Sequence, residues 1–231
     1  FPLEHAVFLE GIGDELHARL LLGRDKTRIG IGYPDLRNQR LIVRHQREED
    51  RPRGDDGARR VGGEVLDDAV VRRTQLEQLV RGATEGLKGS LAFDLYAGVG
   101  LFSLPLSLGF ARVESVEDER RAATLGRVNV KQNGCDNVSY YRETTEGFLK
   151  SNKLRPDLVL IDPPRLGAKP ALPALLALRA PQFVYVSCDP NTMARDLKDL
   201  VSGGYAIETV EAYDMFPQTY HVECVARLRL R

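Results

Sequence analysis

From residue 88 onward the chain alternates short apolar runs with longer segments whose apolar residues recur three and four positions apart. "SLAFDLYAG" (90–98), "ARVESVE" (111–117), "NVSYYR" (137–142), "PDLVLIDPP" (156–164) and "FVYVSC" (183–188) predict five strands. Between and after them "LFSLPLSLG", "DERRAATLGRVNVKQNG", "TTEGFLKSN", "ALPALLALRA" and "NTMARDLKDLVSGG" predict helices, the second stopped by Asn133-Gly134 and the last by a Gly pair. Continuous apolar strands separated by helices mark a sheet covered on both faces. The tail breaks the alternation. "YAIETVEAYDM" (205–215) and "HVECVARLRLR" (221–231) have no helix between them, so they predict an antiparallel hairpin at the sheet edge. The sum is an α/β fold with a doubly wound, mostly parallel, seven-stranded sheet.

The front of the chain patterns differently. "ELHARLLLG" (15–23) and "QRLIVRHQ" (39–46) suit strands, whereas "REEDRPRGDDGARR" (47–60) is a charged, Gly- and Pro-containing run of the kind that forms exposed linkers. A boundary near residue 60 divides a 1–60 appendage from a 61–231 main domain. "VVRRTQLEQLVRGATEGL" (70–87) predicts an amphipathic helix leading into the sheet.

Composition narrows the setting. The 231 residues carry 33 basic and 33 acidic side chains, so no global positive charge announces nucleic acid. Cys135, Cys188 and Cys224 have no CxxC spacing, which argues against a disulfide framework or a zinc knuckle and points to the reducing cytoplasm. No apolar run reaches the roughly 20 residues needed to span a bilayer. A start at Phe1, without Met or a signal-peptide layout, suggests a fragment or a processed chain.

Candidate chemistry gathers at the strand ends. In "DLYAGVG" (94–100) Gly98 and Gly100 allow a tight turn and close approach of backbone to a ligand, although the third glycine of a dinucleotide fingerprint is absent. Glu117 ends the second strand, where an acidic side chain can bind a ribose diol. In "DPPR" (162–165) two prolines stiffen the chain and hold Asp162 in a defined direction at the end of the fourth strand. Cys188 ends the fifth. Taken alone it reads as a small buried hydrophobe, but an open α/β sheet keeps its ligands at this edge, shared with Gly98, Glu117 and Asp162. "DMFPQTYHVE" (214–223) adds Asp214, His221 and Glu223 around a Pro-containing turn, and Glu223 suits a base. Cys135 and Cys224 lack such a setting and are expected to be inert.

Read in order, "DLYAGVGLFSLPLS", "VESVE", "LVLIDPPRLG", "VYVSCDPNTMARDL" and "DMFPQTYHVECVARL" resemble the RNA 5-methyluridine methyltransferases. These are class I enzymes that methylate carbon 5 of uracil in transfer or ribosomal RNA with S-adenosyl-L-methionine. The resemblance covers about residues 88–231 and rests mainly on the pairing of "SCDP" with "DMFPQTYHVE". It implies that Cys188 is the nucleophile at carbon 6 and Glu223 the base that removes the carbon-5 proton. It further implies that Tyr96 and Leu101 flank the cofactor and Glu117 meets its ribose. Thr144 would lie on the adenine side, and Asp162 would contact the cofactor or the pyrimidine edge. An RNA substrate would have to extrude the uracil.

Departures accompany the match. The family's "FFQVN"-like segment, whose Gln helps to bind cofactor and base, has no counterpart near "DDAVVRR", and Leu101 stands where Asn is common. Neither the iron–sulfur cysteine cluster nor the small RNA-binding barrel of many members is readable in the front part. Two other readings stand beside the leading one: a catalytically impaired cofactor- or RNA-binding member, and a base-amine methyltransferase. Arg165 in place of an aromatic residue argues against the amine chemistry, which also needs no cysteine.

Overall fold

The computed structural model describes residues 75–214 and 222–231 in full, and within residues 1–74 only the backbone of the elements named next. Strands β1 (His5–Ile12), β2 (Glu15–Leu22) and β3 (Ile31–Pro34) form an antiparallel sheet in that order. Strands β4 (Ala58–Val61) and β5 (Glu64–Asp67) form an antiparallel pair, followed by helix α1 (Asp68–Thr84). The strand expected over 15–23 is therefore present as β2, and the one expected over 39–46 lies outside the described residues. The charged run 47–60 ends inside β4, so the boundary placed near residue 60 falls on the β4–β5 pair.

The main sheet contains β6 (Gly89–Leu95), β7 (Phe110–Glu117), β8 (Val138–Arg142), β9 (Leu158–Ile161), β10 (Gln182–Ser187), β11 (Tyr205–Tyr213) and β12 (Glu223–Leu230). Helices α2 (Ser103–Gly109), α3 (Arg120–Gln132), α4 (Thr145–Ser151), α5 (Leu172–Leu178) and α6 (Pro190–Ser202) connect successive strands as far as β11. The spatial order is β11-β12-β10-β9-β6-β7-β8. Neighbours from β10 to β8 run parallel, and β12 pairs antiparallel with both β10 and β11. The expected doubly wound, seven-stranded sheet is thus found. Its C-terminal hairpin turns β12 inward and leaves β11 at the edge, where all of Ile207–Ala212 is exposed.

The apolar strands divide their side chains between two layers, as the two-residue pleat requires. Leu158, Leu160, Val184 and Val186 join Leu76, Leu79 and Val80 of α1 and Leu104 and Leu106 of α2 on one face. Val159, Ile161, Phe183 and Tyr185 join Phe148 of α4, Leu172 and Leu175 of α5, and Met193, Leu197 and Leu200 of α6 on the other. Burying each such side chain contributes roughly 1.5–3 kcal/mol. Phe93 meets Phe148 edge-on at 5.2 Å between ring centres, which fixes α4 against the central strand.

Several elements are shorter than the sequence pattern suggests, for local reasons. β9 stops at Ile161 because Pro163 and Pro164 have no N–H to continue a ladder. α5 stops at Leu178, where Arg179 turns left-handed at φ 50°. α6 starts sharply because the Asp189 carboxylate accepts the N–H groups of Asn191 and Thr192 and Pro190 occupies the first helical position. Among the described residues no helix is long and apolar enough to cross a membrane.

Candidate active site

The parallel register brings the carboxyl ends of β10, β9, β6, β7 and β8 to one edge. Leu95 pairs with both Ile161 and Val116, and Ile161 with Tyr185. Residues 96–100, Asp162, Glu117 and Cys188 therefore all lie just beyond this line. β12 runs the other way, so its first residue reaches the same edge. Ser187 pairs with Cys224, which sets Glu223 opposite Cys188.

The glycine loop is held from several elements. Tyr96 turns the chain at φ 61°, and the Ala97 N–H donates to the Val116 carbonyl at 2.9 Å. Gly98, at φ 56°, donates its N–H to Glu117 Oε2 at 2.8 Å, and its carbonyl accepts the Tyr140 hydroxyl at 2.5 Å. The Asn129 amide of α3 donates to the Val99 carbonyl at 2.8 Å. Gly100, at φ 93°, closes the turn by donating to the Ala97 carbonyl at 2.8 Å. A methyl group built on Gly98 would meet no atom within 4 Å, so this backbone faces open space. Leu101 is half-buried and packs on the apolar layer beneath.

Under the loop lies a buried polar chain. Ser103 donates to Asp94 Oδ2 at 2.5 Å, and Ser115 donates to Ser103 at 2.8 Å, while Asp94 Oδ1 has no partner. Burial pushes Asp94 up to about 7; the Ser103 hydrogen bond opposes this and the Glu117 charge adds to it. A carboxyl raised in the folded state stabilises the fold most below its unfolded value, and that contribution is lost as pH rises towards 7. Asp94→Asn should therefore gain thermal stability relative to the parent as pH goes from about 4 to about 8.5. Melting curves across that range check it, and a constant difference would contradict the assignment.

Glu117 sits between the loop and α3. Oε2 holds Gly98 and Oε1 accepts the Glu119 N–H at 2.8 Å, yet each oxygen keeps a second acceptor site. Burial raises its pKa, the two backbone N–H bonds oppose, and Asp118 adds to the rise. Thr144 is exposed and caps α4, its hydroxyl accepting the Gly147 N–H at 3.1 Å. Its neighbour Thr145 is the buried one, and it hydrogen-bonds Tyr96. Burial pushes the Tyr96 phenol up to about 12, and the nearby Glu146 contributes.

At the other end of the edge Cys188, Glu223, Asp162 and Arg165 interact. Burial raises the Cys188 thiol and the Glu223 charge raises it further. The Arg165 guanidinium opposes both through a hydrogen bond and its charge, and Asp162 adds a smaller rise. Burial pushes Asp162 up to about 8, with Glu223, Asp94 and Glu117 contributing. Burial also raises Glu223, against the pull of Arg165. Inactivation by iodoacetamide should follow a thiol midpoint above that of a free cysteine. Glu223→Gln should move that midpoint down and Arg165→Met should move it up, because only the thiolate reacts.

Asp214 is exposed, and His221 lies outside the described residues. Cys135 and Cys224 are buried. Among the described residues no group of three His, Cys, Asp or Glu side chains could hold a metal ion. Tyr140, Asn129, Thr145 and the role of Arg165 were not foreseen from the sequence. Only Arg165 carried a signal, through its adjacency to Asp162 behind two stiffening prolines.

A sheet in this strand order, with a glycine loop after its central strand, defines the class I methyltransferase fold. The model of the tRNA (uracil-5-)-methyltransferase family matches residues 67–230, and the chain belongs to that family. An uncharacterized RNA methyltransferase of Thermotoga maritima is 46% identical over 146 residues, covering 62% of this chain and 33% of that protein. The 23S rRNA (uracil(1939)-C(5))-methyltransferase RlmD of Shewanella halifaxensis is 39% identical over 140 residues, covering 60% of this chain and 32% of that one. The chain thus spans about a third of the length of the curated relatives it matches. Among solved structures, the Pyrococcus abyssi tRNA (uracil-54, C5)-methyltransferase in complex with S-adenosyl-L-homocysteine superposes with a TM-score of 0.60 at 27% identity. That superposition covers 96% of this chain and 60% of that one.

Proposed function

We propose that the chain transfers a methyl group from S-adenosyl-L-methionine to carbon 5 of a uridine in transfer or ribosomal RNA, with residues 61–231 as the catalytic domain. The observation that carries the reading is the β10–β12 register, which sets a carboxylate opposite a cysteine at the ligand edge of the sheet. Neither an amine methyltransferase nor a binding module calls for that pair.

The residues at the glycine loop fit the cofactor. Gly98 offers bare backbone to open space, Asp94 Oδ1 is a buried acceptor without a partner, and Glu117 keeps acceptor capacity for a sugar diol. Tyr96 and Leu101 would flank the bound group, and the turn at Thr144 would border its base. When bound, the cofactor supplies an electrophilic methyl group for carbon 5 of the uracil.

The protein's own groups then act on the pyrimidine. Carbon 5 of uracil is too weak a nucleophile until carbon 6 is attacked. Cys188, as thiolate, forms a carbon–sulfur bond at carbon 6, and the electron pair of the 5,6 double bond moves towards carbon 5 and the carbon-4 oxygen. Arg165 favours the thiolate, and Asp162, protonated near neutrality, offers a donor to a pyrimidine carbonyl. After methylation carbon 5 still holds its proton. Glu223 removes it, the double bond re-forms, and the sulfur leaves. The proton passes from Glu223 to water.

Incubation of the purified protein with methyl-labelled S-adenosyl-L-methionine and unmodified transfer RNA or ribosomal RNA, in parallel, tests the reading. Label should appear in 5-methyluridine after digestion to nucleosides. Label in a methylated base amine would reject it.

A further inference from the structure

Among the described residues Leu166 is the most exposed large apolar side chain, at 83% against 56% for the next, Val210. A single exposed leucine on a surface is ordinary. This one differs in where it stands and in how it is held. It follows Arg165, which reaches Cys188, so it borders the catalytic edge. The other exposed apolar side chains, Val128, Val201, Ile207 and Val210, lie on α3, on the last turn of α6 and on the outer strand.

The backbone around Leu166 is fixed on both sides. Its carbonyl accepts Arg195 Nη2 at 2.9 Å. The Gly167 N–H donates to the Pro164 carbonyl at 2.7 Å, and the Ala168 N–H donates to Asp196 Oδ2 at 2.7 Å. Asp196 is fully buried, and it also accepts the Tyr185 hydroxyl at 2.8 Å and Arg195 Nε at 2.8 Å. Gly167 sits at φ 79°, where a β-carbon would come within 2.5 Å of Asp196 and 2.6 Å of Arg195. Two prolines stiffen the approach. A loop tied this firmly keeps its leucine in water instead of folding it away.

We propose that Leu166 is a base contact for RNA: a fixed apolar side chain that packs against the nucleobase beside the target uridine. The inference rests on the uridine methylation proposed above. Drawing a uracil out of a stack into the Cys188 edge exposes the faces of its neighbours. An apolar side chain at the rim covers such a face, as wedges do in other nucleic-acid-bending and base-extruding proteins. Because the loop is already ordered, making the contact requires little further loss of freedom.

The test compares the parent with Leu166→Ala and Leu166→Met, using unmodified transfer RNA and ribosomal RNA as probes. On the RNA that the parent methylates, Leu166→Ala should lower kcat/KM for RNA by about 5- to 30-fold, the range expected when an aliphatic side chain loses its buried contact. Leu166→Met should stay near the parent. The KM for S-adenosyl-L-methionine, the melting temperature and the iodoacetamide profile of Cys188 should not move. The slope of RNA affinity against salt should also hold, because no phosphate contact is lost. Parent turnover with Leu166→Ala within twofold of it would overturn this contact alone. A parent that forms no 5-methyluridine on either RNA would overturn the uridine reading and this contact with it.

Discussion

Replacing Cys188 by serine should reduce 5-methyluridine formation by about 10³-fold or more, because a serine hydroxyl is almost wholly protonated near neutrality. Binding of S-adenosyl-L-methionine, followed by calorimetry, should change little. Cys188 stands at the end of β10, and β9 lies between that strand and the β6 loop proposed to carry the cofactor. The split between lost turnover and retained cofactor affinity separates a chemical role from a folding role. Full turnover by the serine variant would reject covalent catalysis. Loss of cofactor binding together with a lowered melting temperature would mark Cys188 as a packing residue.

Glu223→Gln should have the second-largest effect and a different signature. Without a base the carbon-5 proton stays, and the carbon–sulfur bond cannot be released. Steady turnover should fall by about 10²- to 10⁴-fold, while a protein–RNA species that survives denaturing electrophoresis accumulates. Its formation should reach its maximum rate at lower pH than in the parent, because the charge that raises the thiol is gone. The same variant thus carries two opposite signs: easier attack and blocked release. Equal loss of both, with no adduct, would assign Glu223 to binding alone.

The parts of the fold that were legible in the sequence are those where one physical demand dominates. β9 is buried along its whole length and β10 from Phe183 to Ser187, so each is built on a continuous apolar run and announces itself as a strand. Of the front strands β1 to β5, only β2 was marked in the sequence, by its leucines. The meeting of Glu223 with Cys188 was legible only through the family resemblance, the local pattern placing Glu223 no closer than a strand start beside a Pro-containing turn. The reversed direction of β12 and its one-residue register convert that into an opposed pair.

Side-chain tips were the least legible. Tyr140 and Asn129 hold carbonyls of the glycine loop 42 and 30 residues away, and no local pattern encodes such partners. Thr144 followed the third strand as expected, but the spacing to Gly147 makes it a helix cap, a common use for threonine. Asp196 was findable. It falls on the same helical face as Met193, Leu197 and Leu200, and a charged residue at an apolar register position requires buried partners.

The placement of β12 between β10 and β11 also orders events as the chain folds. β11 precedes β12 in the sequence yet pairs in the sheet only with it, so the outer strand cannot settle until the later one has entered. Until then β10 keeps an open flank beside Cys188, and closing it requires a contact across roughly 40 residues of chain, a slow kind of step. Cys188 and Glu223 therefore meet late, in the same event that seals the sheet. Partly folded molecules should display the thiol without its carboxylate partner, and they should react with alkylating agents at lower pH than the finished protein.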